Sequence, residues 1–439
     1  MRQLIKNANV FDGYNAQLTE NANIIIQDNL VEDIVQGVIP EDQFDMVIDA
    51  GGRTVMPGMV DAHAHLYYTS TPYELDAMRE DEIAVRSAAM AKAVLLNGFT
   101  TVREAGGLIC GLKKAIDDGV VDGPRVFPSG GGITQTNGHA DLRSHRAHQI
   151  INGVHTSPHM RTGAHVICDG VPECLRVVRQ QFFLGATQIK IMAGGGILSM
   201  MDHMQTVQFT EEEMKAIVGA AADYGTYVMA HLYTPAQMQR AAKCGVMSFE
   251  HATLMDDETA RIIADKGIWV VPGPQFPGPR EDAHRIRKSS NEKWMMAVSG
   301  EKQMTELINK YKLNILYATD LGAQADMQND LAHQIGDFRL FKKRFGSLEG
   351  IRAATGNGNR MLKMCTYRNP YDEGELGLLK KGSYADLLIV DGNPVEDLDI
   401  LAERSNMRLI MKDGKIYKNT IDGRVYENLP WNWPAGTHK

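Results

Sequence analysis

The sequence predicts an α/β protein: a (β/α)8 TIM barrel beside a small β-sandwich formed by the N- and C-terminal segments. The first observation is that residues 57–361 alternate short apolar runs, such as "GATQIKIMAGGG" and "GTYVMAHLY", with amphipathic segments. Repeated strand–helix units of this kind build a parallel sheet. The second is their number, since about eight units over roughly three hundred residues suit a closed barrel better than an open sheet.

Both ends of the chain have a different pattern, made of short strands and turns. Residues 1–56 contain runs such as "ANIIIQ", and "GELGLLKKGSYADLLIVDG" and "MRLIMKDGKIYKN" follow residue 361. We therefore expect segments 1–56 and 362–439 to form one β-sandwich, into which the barrel, residues 57–361, is inserted.

Local signals inside the barrel predict individual elements. Thr210, with Glu213 three residues later, is typical of a capping box at the start of a helix. "KLNILYATD" is expected to be a strand, and "GNGN" at 356–359 a turn after a helix. Residues 141–172, rich in His, Arg and Gly, are expected to form a long loop over one barrel face.

Composition narrows the class of protein and its partners. A chain of 439 residues is longer than one hydrophobic core ordinarily accommodates. The net charge of −8 disfavours nucleic acid or an anionic membrane as a partner. No signal segment and no run of about 18 apolar residues is seen, so a soluble, cytoplasmic protein is expected. A reducing compartment also fits the scattered cysteines, which have no CxxC spacing: Cys110, Cys168, Cys174, Cys244 and Cys365.

The segment "VMPGMVDAHAHL" ends an apolar strand with His63 and His65. Strand side chains alternate between faces, so the two imidazoles are expected to point the same way. Two neutral nitrogens on one face make half of a metal site if other ligands arrive from elsewhere. On its own, the pair is equally compatible with a solvated strand or a satisfied core.

Polar residues also end four further apolar runs of the barrel. The chemistry of such a barrel lies at the C-terminal ends of its strands, so these residues are candidate metal ligands. They are Lys190, His231, His251 and Asp320. Lys190 would repel cations as an ammonium; either it becomes a carbamate by taking up carbon dioxide, or it pairs with a carboxylate in the barrel wall.

Together with "GFTTVREAGG", "PSGGGITQTNGHAD", "IKIMAGGGILS" and "AATGNGNRML", these motifs resemble the metal-dependent amidohydrolase superfamily. The similarity is to its prolidase-like, ochratoxinase-like and imidazolonepropionase-like branch. The resemblance implies two divalent metal ions, with zinc expected, although the donors also suit manganese, cobalt or iron. It places His63 and His65 on one metal with Asp320 beside them, His231 and His251 on the second, and N6-carboxylated Lys190 between the two.

Two further residues become candidates through the resemblance. Tyr233 occupies the second position of a usual His-x-His, and "NGHAD" keeps His139 while replacing two glycines. Both are expected to bind substrate and to steady the developing oxyanion or a substrate carboxylate. The structural alternatives are a packed aromatic for Tyr233 and a solvent-facing loop residue for His139. Asp320 is expected to be the general base and then the general acid.

The function expected is hydrolysis of a C–N amide bond in a small molecule by a metal-bridging hydroxide. Candidate substrates are an Xaa-Pro-like dipeptide, an N-acyl amino acid or an ochratoxin-like amide. The alternatives are an imidazolonepropionase-like cyclic amide hydrolase or a deaminase, and an inactive scaffold protein. The resemblance also implies a homo-oligomer. Arg143, His145 and Arg146 could bind a substrate carboxylate, but they also fit a solvated basic loop.

Overall fold

The computed structural model describes residues 1–143, 150–151, 154–155, 163–199, 201–273, 288–322 and 327–421. Its strands, numbered along the chain, are β1 (Arg2–Val10), β2 (Thr19–Gln27), β3 (Leu30–Gln36), β4 (Met46–Asp49), β5 (Thr54–Pro57), β6 (Met59–Ala64), β7 (Phe99–Glu104), β8 (Arg125–Phe127), β9 (Gly132–Thr134), β10 (Ile150–Ile151), β11 (Val154–His155), β12 (His165–Ile167), β13 (Ile189–Met192), β14 (Val228–Leu232), β15 (Ser248–His251), β16 (Trp269–Val271), β17 (Leu387–Val390), β18 (Met407–Lys412) and β19 (Lys415–Asn419).

The α-helices lie mainly between the strands of the central region. They are α1 (Pro72–Ala77), α2 (Glu80–Leu96), α3 (Cys110–Asp117), α4 (Val171–Leu184), α5 (Glu211–Asp223), α6 (Pro235–Cys244), α7 (Asp257–Lys266), α8 (Lys288–Tyr311), α9 (Met327–Phe345), α10 (Ser347–Ala353) and α11 (Gly356–Leu362). Within the described ranges, none of these helices has the length and apolar character needed to cross a bilayer.

Both ends of the chain meet in one sheet of eight strands. Its order is β19-β18-β17-β5-β1-β2-β3, with β4 paired to β1. The two ends join where β5 runs antiparallel to β17. Apolar side chains of both segments, among them Ile5, Ile24 and Ile389, form a buried cluster of their own. The predicted joining of the N- and C-terminal segments is confirmed, while the boundaries at residues 56 and 361 stay a prediction.

Parallel strands form the wall of the central barrel. One sheet contains β6, β7 and β8, and a second contains β13 to β16 together with β9 and β12. The two sheets meet where Thr187 N–H donates to Pro128 O at 2.7 Å. Apart from β12, the strands of both sheets are buried along their length because helices cover the outside and side chains fill the inside. The predicted TIM barrel with an additional β domain is confirmed.

The eighth position of the barrel is occupied by an irregular segment, residues 313–318. It is hydrogen bonded on one side to β16, through Leu316 N and Val270 O at 3.2 Å, and on the other to β6, through Ala62 N and Tyr317 O at 2.9 Å. The sequence predicted a regular strand here, yet only single bridges form. Side chains compete for its backbone: the Asn357 amide donates to Ile315 O at 3.0 Å.

The capping box predicted for α5 is confirmed. Glu213 N–H donates to Thr210 Oγ1 at 3.3 Å, and Thr210 N–H donates to Glu213 Oε2 at 2.8 Å.

The expected loop at 141–172 was wrong in part. The segment includes the small pair β10–β11, β12, and the start of α4. Arg143 pairs with Asp141 at 2.7 Å, whereas His145 and Arg146 lie outside the described residues.

The predicted turn at "GNGN" was wrong, because these residues begin α11. The helix lies against the barrel wall, and a Cβ atom added at Gly358 would meet Val60 Cβ at 2.8 Å. Gly358→Ala is therefore expected to lower the free energy of unfolding by about 1–3 kcal/mol through overpacking. Gly336→Ala in α9 is the matched control, since its added Cβ meets nothing within 4 Å. Denaturant unfolding of both variants tests this; equal effects would contradict it.

Candidate metal centre

His63, His65 and Asp320 converge at the C-terminal end of β6. Asp320 Oδ1 lies 3.3 Å from His63 Nε2 and 3.2 Å from His65 Nε2. One possible ligand atom from each residue lies within 4.8 Å of the others. As the period of a strand predicts, both imidazoles face the same side. The group has the donors and the spacing needed to hold a metal ion.

Asp320 reaches this position through an unusual backbone conformation. Its φ is +53°, rare for a residue other than glycine, and its N–H donates to His63 O at 2.8 Å. Burial raises the pKa of Asp320, but the His63 and His65 imidazoles outweigh this effect and hold that pKa well below its ordinary value. The side chain is thus an ionised carboxylate in a buried site, which favours a cation beside it.

Lys190 extends from β13 into the same centre. Its Nζ lies 3.4 Å from His63 Nε2, and the residue is 2% exposed. Burial lowers the pKa of Lys190 to about 8, although Glu250 and Asp320 raise it. In the described part of the chain Lys190 forms no ion pair with a carboxylate. The wall-pairing alternative considered for this lysine is therefore not found.

His231, the last residue but one of β14, and His251, the last residue of β15, lie beside this group. Their ring centroids are 4.6 Å apart, and that of His251 is 5.1 Å from that of His63. Burial lowers the pKa of His251 to about 3 and that of His231 well below its ordinary value. Both are therefore neutral imidazoles, the form that binds metals.

Hydrogen bonds fix which nitrogen each histidine offers. Three of the rings use Nδ1 to hold a protein oxygen, which leaves Nε2 for a metal. These contacts are His65 Nδ1 with Gly106 O at 2.9 Å, His251 Nδ1 with Gly273 O at 2.5 Å and His63 Nδ1 with Glu250 Oε2 at 2.6 Å. His231 offers the other nitrogen: its Nε2 lies 3.4 Å from Gly195 O, which leaves Nδ1 for a metal.

Glu250 and Arg103 are site residues that sequence reasoning missed. Arg103 Nη2 donates to both carboxylate oxygens of Glu250 at 2.9 Å, and both side chains are fully buried. Burial raises the pKa of Glu250, but Arg103, His63 and Lys190 together outweigh this effect and hold that pKa well below its ordinary value. The available signal was a charged residue inside each of two apolar runs, "TTVREAGG" and "VMSFEHA". The pair holds His63 in place.

The strand-end conformation explains how Glu250 and His251 both contact His63. Consecutive strand residues normally point to opposite faces. His251, however, has a φ of +70°, which ends the extended conformation and turns its ring toward the centre. Backbone strain of this kind persists where surrounding contacts hold it, most often at functional sites.

Tyr233 and His139 lie against the second pair of histidines. The Tyr233 ring stacks on His251 with centroids 5.2 Å apart, and the His139 ring stacks on His231 at 4.1 Å. Burial raises the pKa of Tyr233 well above its ordinary value, so its hydroxyl keeps its proton and can donate a hydrogen bond. His139 is not a solvent-facing loop residue, because its side chain is only 13% exposed.

Comparison with known protein families agrees with this site geometry. Residues 54–425 match the model of the amidohydrolase family. The chain belongs to the amidohydrolase family. Members generally use divalent metal ions, and the group of His63, His65 and Asp320 offers a site for one.

Individual relatives agree with this assignment. Ochratoxinase of Aspergillus niger is 30% identical over 396 residues, covering 87% of this chain and 78% of the relative. The crystal structure of an amidohydrolase matches with a TM-score of 0.87 at 33% identity, covering 96% of this chain and 100% of that one. A prolidase complexed with N-methylphosphonate-L-proline matches with a TM-score of 0.85 at 30% identity, covering 95% and 100%. The protein is thus a hydrolase acting on C–N bonds.

Proposed function

We propose that this amidohydrolase is a binuclear enzyme that cleaves the amide bond of a small substrate. The observation that carries the proposal is the convergence of six side chains from the barrel wall and its strand ends on one centre: His63, His65, Lys190, His231, His251 and Asp320. An Xaa-Pro-like dipeptide, an N-acyl amino acid or an ochratoxin-like amide is the proposed substrate, supported by the likeness to a prolidase and an ochratoxinase.

Two divalent ions, proposed to be zinc, fit this set of donors. His63 and His65 would hold one, with Asp320 beside them, and His231 and His251 would hold the other. The neutral imidazoles and the ionised carboxylate support the fit, because metal ligands must be deprotonated. When bound, a pair of such ions lowers the pKa of water enough to supply hydroxide at neutral pH and polarises a carbonyl.

Lys190 is proposed to join the two ions as a carbamate. Its amine would attack carbon dioxide, forming an N–C bond and releasing one proton, and the product carries a negative charge and two oxygens. The lowered pKa of Lys190, about 8, supports this step because only the neutral amine is a nucleophile. Lys190 Nζ lies 3.4 Å from His63 Nε2, so a carbamate on the lysine would be close to the other proposed ligands.

The remaining chemistry falls to three side chains. Asp320 would accept a proton from the attacking water and return it to the leaving nitrogen, as general base and then acid. The protonated Tyr233 hydroxyl would donate to the developing oxyanion or to a substrate carboxylate. His139, stacked on His231, would hold the same end of the substrate.

Elemental analysis of the purified protein, with a panel of dipeptides, N-acyl amino acids and ochratoxin-like amides, tests the function. Two equivalents of metal with amide cleavage are expected. One equivalent, with turnover only of cyclic amides or amidines, would replace the proposal with the ring-opening or deaminating alternative. No metal and no turnover after reconstitution with zinc and bicarbonate would overturn it.

Lys190→Ala tests the carbamate directly. Without the bridging group, the variant is expected to bind fewer than two equivalents of metal and to lose at least about 100-fold in kcat, the range seen when one charge-stabilising group is removed. Lys215→Ala, at an exposed position of α5, is the matched control and should keep the metal content and the kcat of the wild type. A Lys190→Ala protein with two metals and full activity would remove the carbamate from the mechanism.

A further inference from the structure

We propose that Ser199, Asp202 and Lys293 form a positioning network that holds the His139 imidazole as its Nδ1–H tautomer and leaves Nε2 for the substrate. The inference deepens the proposed function, on which it rests, by assigning residues that act through His139. None of the three is a candidate metal ligand. They come from the segment after β13 and from α8.

The chain of hydrogen bonds determines where the protons lie. His139 Nδ1 is 2.5 Å from Ser199 Oγ, and Ser199 Oγ is 2.5 Å from Asp202 Oδ1. An ionised carboxylate only accepts, so the single hydroxyl hydrogen of Ser199 is donated to Asp202. The serine oxygen must then accept a hydrogen bond from His139. Nδ1 of His139 therefore carries hydrogen.

Other donors keep Asp202 ionised. Gly196 N–H donates to its Oδ2 at 2.8 Å, and Lys293 Nζ donates to its Oδ1 at 3.2 Å. Lys293 also donates to Gly196 O at 2.9 Å and to Ser199 O at 2.8 Å. Asp202 is only 3% exposed and Lys293 only 8%, so this ion pair is shielded from water and ties α8 to the loop beneath it.

The fit of the His139 ring is set by a glycine. A Cβ atom built on Gly196 would lie 2.2–2.5 Å from three atoms of that ring, so only glycine lets the ring pack there. The ring also stacks on His231 at 4.1 Å. This gives the third glycine of "AGGG" a specific role in seating the ring.

The tautomer decides what His139 offers to a substrate. A neutral ring with Nδ1–H accepts a hydrogen bond at Nε2. The carboxylate of Asp202, with Oδ2 3.7 Å from Nδ1, favours the hydrogen on that nitrogen. Without the network the ring could rotate or change tautomer, and the substrate would meet the wrong group.

A double-mutant cycle separates positioning from a general structural role. Asp202→Asn is expected to lower kcat/KM for the cleaved amide by about 10- to 100-fold, the range known for residues that orient metal-ligating histidines. In a His139→Gln background the same change should have less than about a twofold further effect, since additivity fails for residues acting through one another. Equal losses in both backgrounds would overturn the proposal. Asp265→Asn, at an exposed position of α7, is the control and is expected to leave kcat/KM unchanged in both backgrounds.

A second readout needs no turnover. The 13Cδ2 resonance of His139, assigned by its absence in His139→Gln, reports the tautomer in the zinc-loaded full chain at neutral pH. We expect Nδ1–H in the wild type and a shift toward Nε2–H in Ser199→Ala and Asp202→Asn. An Nε2–H wild type would overturn the network. An Nδ1–H wild type that cleaves no amide would instead refute the proposed function and leave the network standing.

Discussion

Asp320→Asn is expected to lower kcat by about 10²- to 10⁴-fold, the usual contribution of a general acid–base group. The change keeps the size of the side chain but removes the charge and the ability to accept a proton. It also weakens metal binding, because an uncharged amide is a poorer ligand than a carboxylate. The Asp320 carboxylate oxygen is a predicted ligand beside the imidazole nitrogens of His63 and His65. Steady-state kinetics on the amide identified by the panel, together with metal analysis of the same sample, measures both effects.

The control for this variant is Asp265→Asn, which makes the same chemical change at an exposed position of α7. It is expected to keep wild-type kcat and metal content. An Asp320→Asn enzyme that retained its metal and lost less than tenfold in kcat would exclude Asp320 as the proton carrier. A variant that lost metal and activity together would assign Asp320 mainly to metal binding.

Removing either partner of the Arg103–Glu250 pair is expected to destabilise the protein by about 3–5 kcal/mol, because a charge is left buried without its counter-charge. Both side chains are completely buried and share two hydrogen bonds of 2.9 Å. Arg103→Met and Glu250→Gln test the two sides of the pair. The free energy of unfolding from denaturant titration is the quantity to measure. A loss this large is a substantial fraction of the 5–15 kcal/mol typical of a folded domain.

The double variant Arg103→Met with Glu250→Leu is the informative control. Replacing a whole buried ion pair by apolar side chains is often close to neutral, so it is expected to be more stable than either single variant. Single variants within 1 kcal/mol of the wild type would contradict a buried charged pair.

The same pair predicts a dependence of stability on pH. The folded-state pKa of Glu250 is lowered by Arg103 against the opposing effect of burial. The ion pair therefore contributes its full stabilisation above the ordinary glutamate pKa of about 4.3, and loses it as the pH falls through the lowered folded value. Wild-type protein should lose stability below about pH 4 more steeply than Glu250→Gln. Parallel acid titrations of the two proteins would contradict this.

The candidate centre could be predicted wherever a local pattern carries the information. His63 and His65 share a face because strand side chains repeat with a period of two, and both ring nitrogens indeed approach Asp320. Strand ends in a parallel barrel meet at one edge, so His231 and His251 could be expected beside them. The Thr210–Glu213 capping box also depends only on neighbouring residues. Homo-oligomerisation and a cytoplasmic location stay predictions.

Other features were decided by contacts between distant parts of the chain. "GNGN" has the composition of a turn, but it became a helix because Asn357 and Asn359 donate to backbone oxygens of other segments and Gly358 packs on Val60. Residues 313–318 look like a strand in sequence and form only bridges.

By itself, the sequence determined the fold class, the capping box and the identity of the candidate ligands, since periodicity and capping act over a few residues. Tertiary structure alone decided what surrounds those ligands. Arg103 and Glu250 are 147 positions apart, and Lys293 lies 91 positions from Asp202. No short pattern records such pairings. They form because charges buried in a packed barrel need partners, and the fold determines which partners come within reach.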